Sequence, residues 1–128
     1  MTDLYPEGLK YSKEHEWVRA EAKSATIGIT HHAQDQLGDV VYVELPALGK
    51  EFKAMEEFGV VESVKSVSSL YCPVSGKVIE VNAELNDRPQ LVNEDPYGKG
   101  WMIRIEMNNL SELNALLTAE DYKKILAK

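Results

Sequence analysis

The chain has 128 residues, with 14 basic and 21 acidic side chains and a formal net charge of −7. That length suits one domain, and 44% hydrophobic with 27% charged residues is the balance of an ordinary globular protein. A single cysteine, Cys72, excludes an internal disulfide, and an acidic chain without a basic stripe is a poor partner for nucleic acid or an anionic membrane.

In chain order, Met1 to Glu7 carries acids and no apolar core, so it does not resemble a secretory or transit peptide. Trp17 to Ala20 and Thr26 to Ile29 are short β-type runs on either side of a polar turn at Lys23-Ser24. Between Thr30 and Leu37 alternation stops; Thr30 as N-cap and Gly38 just past the end predict one short helix. Val40 to Glu44 is the strongest strand, β-branched on both faces and so expected to be buried on both. Its four apolar residues are the longest such run, far short of the roughly 20 a membrane-spanning helix needs. Pro46 and Gly49 end it.

Phe58 to Ser63 and Val67 to Tyr71 form a tight hairpin with Val64 and Lys65 at its connection, although the usual Asn-Gly turn residues are missing. Pro73 to Gly76 is a turn, followed by a strand from Lys77 to Val81. Asn93 to Gly100 is expected as a loop, and Trp101 to Ile105 as the last strand. The end reads as helical: Ser111 can cap Leu113 to Leu117, and Thr118 with Asp121 has the form of a capping box for Tyr122 to Leu126. Gly38-x-Val40-Val41-x-Val43 matches Gly76-x-Val78-Ile79-x-Val81 at an offset of 38 residues, a weak internal repeat with Lys65 on the connection between its halves. Many short strands punctuated by Gly and Pro predict a mainly β, small sandwich or barrel carrying short helices.

Catalytic constellations are thin. His31 and His32 are neighbours and cannot share a helix face. No Cys-x-x-Cys or His-Glu-x-x-His spacing suggests a metal site, and no nucleophile elbow or phosphate loop occurs. Cys72, followed by Pro73, reads as a half-buried packing thiol. Lys65 stands apart because a hairpin tip is exposed and well supported, so a modifying enzyme can reach its amine. An acidic domain without an active site, presenting a lysine between two similar halves, suits a carrier of a covalently attached cofactor.

At this point the residues carry a family resemblance. Glu62-Ser63-Val64-Lys65, Tyr71-x-Pro73-Val74-Ser75-Gly76 and Gly28-Ile29-Thr30-x-His32-Ala33-Gln34 resemble the H-protein family of the glycine cleavage system. So do Lys10-Tyr11-Ser12-x-Glu14-His15-Glu16-Trp17, Leu91-Val92-Asn93-x-x-Pro96-Tyr97 and Gly100-Trp101-Met102, so the resemblance spans nearly the whole chain. It implies a lipoyl-type barrel-sandwich hybrid with added N-terminal strands, one short helix and C-terminal helices. One domain over residues 1–128 is expected, its core near 15–107 and its terminal helices near 111–127.

The resemblance further implies a non-catalytic carrier in which Lys65 holds lipoic acid through an amide. Its partners would be the pyridoxal-phosphate glycine decarboxylase (P protein), the tetrahydrofolate-dependent aminomethyltransferase (T protein) and dihydrolipoamide dehydrogenase (L protein). A lipoyl or octanoyl transferase, or a lipoate ligase, would attach the group. Family members shelter the loaded arm in a cleft where an acid holds the aminomethyl ammonium; Glu14, Glu16, His32 and Ser69 are the candidates here. Ser69 stands where many members carry an aspartate, so it brings no charge. A monomer in the cytoplasm is the expected state. Two alternatives within carriers are a lipoyl donor to other complexes and a biotin-type carrier, whose usual Met neighbours Val64 and Ser66 do not supply. From another class comes a small enzyme pairing His15 with Glu14 or Glu16.

Overall fold

A computed structural model describes residues 4–127 of the chain. Its strands are β1 (Lys10–Tyr11), β2 (Glu16–Glu21), β3 (Ser24–Ile29), β4 (Val40–Glu44), β5 (Glu51–Phe52), β6 (Glu57–Ser63), β7 (Val67–Tyr71), β8 (Gly76–Val81) and β9 (Ile103–Met107). The helices are α1 (His31–Leu37), α2 (Glu84–Asp87), α3 (Leu91–Glu94), a 3₁₀ turn at Leu110–Ala115 and α4 (Ala119–Leu126). Six strands form one antiparallel sheet in the order β1-β2-β3-β9-β8-β5, and three form another, β4-β6-β7. The chain is therefore mainly β with short helices, as a barrel-sandwich of the lipoyl type requires.

Side chains from both sheets meet in one apolar core that includes Val18, Ile27, Val43, Val61, Leu70, Val78 and Ile105. A second cluster, Leu9, Tyr11, Trp17, Ala119 and Tyr122, docks α4 against the outer strands. Trp17 is fully buried, and its indole N–H donates to the Pro96 carbonyl at 2.9 Å. Its cross-strand partner is Gly28, where a Cβ would lie 2.7 Å from the indole ring. Only glycine fits there, and truncating a buried Trp costs about 3–5 kcal/mol.

The expected helix forms at α1: the Thr30 hydroxyl accepts from Ala33 N, and Gly38 ends it at φ 79°. The hairpin forms as well, and Ser63 explains the missing Asn-Gly. Its hydroxyl accepts from the backbone N–H of Ser66 at 3.1 Å and of Lys65 at 3.3 Å, closing the turn with a side chain. Thr118 caps α4, accepting from Asp121 N.

Five expectations are corrected. Val40 to Glu44 is not buried on both faces: Val41 and Tyr42 are 53% and 49% exposed, because the strand pairs with β6 alone and bulges between Val40 and Tyr42. The last strand begins at Ile103, since Asn82 Nδ2 donates to the carbonyls of Lys99 and Trp101 and holds that segment outside the ladder. The segment from Asn93 opens inside α3, and Asn109 rather than Ser111 caps the 3₁₀ turn. Cys72 is fully buried, its thiol donating to the Val74 carbonyl, and burial pushes its pKa up to about 12.

The internal repeat has a structural counterpart. β4 and β8 lie in different sheets, yet β8 bulges between Val78 and Glu80 as β4 does between Val40 and Tyr42. In both, the first valine is buried and the two residues after it are exposed.

Candidate functional site

Lys65 occupies the exposed tip of the β6–β7 hairpin. The tip is tied down: Ser63 N donates to the Ser66 carbonyl at 2.8 Å, and Val64 N donates to the Asp39 carbonyl at 3.0 Å. The Asp39 contact latches the hairpin to the turn between α1 and β4. Asn93 holds that turn in its own right, donating to Gln34 Oε1 and the Gly38 carbonyl and accepting from Val40 N. The lysine stem therefore rises from a fixed base.

Beside the tip lies a cleft of about 310 Å³. Glu14, Glu16, His32 and Ser69, far apart in sequence, all line it, together with Ser66 next to Lys65. Ile29, Leu37, Val61 and Leu70 supply apolar wall. Ser69 is half-buried and Glu14 exposed, whereas Glu16 is 1% exposed, not a solvated strand-edge charge. Ser12 Oγ donates to Glu16 Oε1 at 2.5 Å, and Tyr71 N donates to Oε2 at 3.2 Å. Burial outweighs both bonds and pushes the Glu16 pKa up to about 8. A carboxyl so placed is mostly neutral at pH 7 and ionises when a cation faces it.

His15, which the sequence offered only as an acid–base partner of Glu14 or Glu16, also lines the cleft. A turn from Ser12 leaves His15 at φ 75°, and its ring lies 4.8 Å from that of His32. Its Nδ1 is 2.7 Å from Tyr122 Oη on α4. Burial, then His32, hold the His15 pKa below the usual value against a smaller opposing effect of Glu14. No local pattern announces this pairing, because its partners sit on α1 and α4. Among the described residues no group of three His, Cys, Asp or Glu side chains is placed to hold a metal ion, and no helix is long and apolar enough to cross a membrane.

Residues 9–128 match the family model described as Glycine cleavage H-protein. The chain belongs to that family. It is 60% identical over 123 residues to the glycine cleavage system H protein of Carboxydothermus hydrogenoformans, covering 96% of this chain and 95% of that one. To the H protein of Symbiobacterium thermophilum it is 61% identical over 117 residues, covering 91% of each. The crystal structure of a glycine cleavage system H protein from Mycobacterium marinum superposes with a TM-score of 0.88 at 37% identity, covering 96% of this chain and 99% of that one. Membership makes this chain a carrier subunit of the glycine cleavage system, not an enzyme, within a family of lipoate-bearing proteins.

Proposed function

We propose that the chain is a single carrier domain whose Lys65 is joined by an amide to lipoic acid. The observation that carries this is the tip itself: an exposed lysine on a latched turn, beside a cleft of about 310 Å³. The residues fit the group. A primary amine forms a stable neutral amide, and four methylenes add reach. Apolar walls can cover a hydrocarbon chain, and Glu16 waits at the cleft wall with an acid. When attached, lipoyl supplies a dithiolane that can be opened by reduction and bear an aminomethyl group.

The protein's own work is to present, shelter and release. The latched tip limits the positions from which the arm starts, which raises its effective concentration at each partner. An arm laid in the cleft is partly shielded from water by its apolar walls, and Glu16 ionises opposite an ammonium, a charge-assisted contact worth ~1.5–3 kcal/mol when desolvated. The partners we assign are the pyridoxal-phosphate glycine decarboxylase, the tetrahydrofolate-dependent aminomethyltransferase and dihydrolipoamide dehydrogenase, with a lipoyl or octanoyl transferase or a lipoate ligase for attachment. A monomer in the cytoplasm suits this traffic.

Peptide mapping after treatment with lipoate and a lipoate ligase tests the assignment. The acyl group should be found on Lys65 alone. Modification at Lys53 or Lys77 instead would overturn it.

A further inference from the structure

His15, which lines the cleft, touches α4 at Tyr122, a fully buried side chain. Its hydroxyl meets two groups, Thr30 Oγ1 at 2.8 Å and His15 Nδ1 at 2.7 Å. Thr30 begins the helix that carries His32, and His15 lines the cleft directly. We propose that Tyr122 is a positioning residue for the cleft: it relays a directed chain of hydrogen bonds from Thr30 that fixes His15 as the neutral, Nε2–H tautomer, so that the cleft stays open to a cationic cargo.

The direction follows from counting protons. The Thr30 hydroxyl is fully buried and has one proton to give. Its oxygen already accepts from Ala33 N at 3.2 Å, and Tyr122 Oη is its other partner. The Thr30 proton therefore goes to Tyr122. Tyr122 then points its own proton at His15 Nδ1, which must be the unprotonated nitrogen. In the reverse arrangement His15 donates to Tyr122 and Tyr122 to Thr30, and the buried Thr30 proton is left with no acceptor. A doubly protonated His15 forces that same reversal.

The surroundings of His15 divide over its charge. Burial, and then His32 on α1, oppose a positive charge on His15, whereas Glu14 in the same loop favours one. Glu16 is a neighbour in the same cleft, and Tyr5 packs edge-on against Tyr122. A charged His15 in a low-dielectric cleft would repel an ammonium brought beside Glu16. This consequence rests on the carrier function proposed above; the tautomer does not.

The test uses the full chain, uniformly labelled with ¹⁵N, and correlates ring nitrogens with carbon-bound ring protons. At pH 7.5 His15 should show a protonated Nε2 and an unprotonated Nδ1. Tyr122→Phe should mix the two tautomers and let the ring protonate at higher pH, whereas Thr30→Ser should keep the parent pattern. A protonated Nδ1 in the parent, or an unmixed ring in Tyr122→Phe, overturns the relay. Should Tyr122→Phe not fold, Thr30→Val compared with Thr30→Ser decides the same point. In lipoylated chain loaded with glycine and decarboxylase and then freed of the enzyme, Tyr122→Phe should lose its cargo at least threefold faster than the parent at pH 6.5. The two should converge at pH 9, where His15 is neutral in both. An equal difference at both pH values would make the loss a packing effect and overturn the electrostatic role. If Lys65 did not carry the group, Lys65→Arg would still be lipoylated and load cargo, while the spectra would still decide the relay.

Discussion

The Lys65 side chain lies across Gly38: a Cβ at Gly38 would meet Lys65 Cε at 3.3 Å and Nζ at 3.9 Å. Gly38 combines φ 79° with ψ −156°, a backbone region essentially reserved for glycine. The residue that ends α1 is thus also the floor beneath the lysine. One position sets both the turn that latches the hairpin and the space its stem occupies.

Gly38→Ala should therefore act twice. Backbone strain alone should lower stability by about 1–3 kcal/mol, read from urea unfolding. The added methyl should also push the Lys65 stem off the turn and slow ligase-catalysed lipoylation severalfold. A variant lipoylated at the parent rate would show that the floor plays no part in presentation.

Lys65→Arg should fold with unchanged stability, because the side chain is exposed and the charge is retained. It should accept no lipoyl group and support no glycine–bicarbonate exchange, since a guanidinium is not acylated under these conditions. Intact mass and the exchange assay check the two halves. Exchange well above the unlipoylated background would count against a lysine-borne arm.

Asn93→Ala removes three hydrogen bonds at once, to Gln34, Gly38 and Val40. At about 1 kcal/mol each, the loss should be about 2–4 kcal/mol in chemical unfolding. Hydrogen exchange at Val64 N, which bonds the Asp39 carbonyl on the same turn, should accelerate. Unchanged protection there would mean that the turn holds without Asn93.

The fold was legible where local chemistry decides it. Thr30, Gly38 and Thr118 announce caps, and the strands of the hairpin carry β-type residues up to a serine that closes the turn. It was illegible where a distant group takes a backbone atom: Asn82 delays β9 by claiming two carbonyls, and the β4 bulge turns Val41 and Tyr42 outward. The site divides in the same way. Lys65 stands out because a tip is a local feature, and the motif around it is continuous. His15 and Tyr122 do not, because 107 residues separate them and only the docking of α4 brings them to 2.7 Å.

Glu16 yields a prediction in which stability and carriage move in opposite directions. Its pKa is raised from the ordinary 4.5 to about 8, chiefly by burial. Below pH 4.5 the carboxyl is protonated in folded and unfolded chains alike and contributes no slope. Between pH 4.5 and 8 the unfolded chain releases the proton and the folded chain keeps it, so the folded state binds more protons and stability falls as pH rises. Above pH 8 both are ionised and the slope ends. The shift bounds the effect at about 5 kcal/mol. Glu16→Gln keeps the shape without the titration, so the variant should match the parent near pH 4.5 and exceed it in urea unfolding at pH 8. Yet the same change removes the anion available to an ammonium in the cleft, and a lost contact of ~1.5 kcal/mol should speed release of the loaded group about tenfold, followed as formaldehyde. Glu14→Gln, at an exposed and screened position, should speed it much less. A Glu16→Gln chain no more stable than its parent at pH 8 would refute the buried, neutral carboxyl; one that kept its cargo as long would leave the apolar walls as the whole shelter.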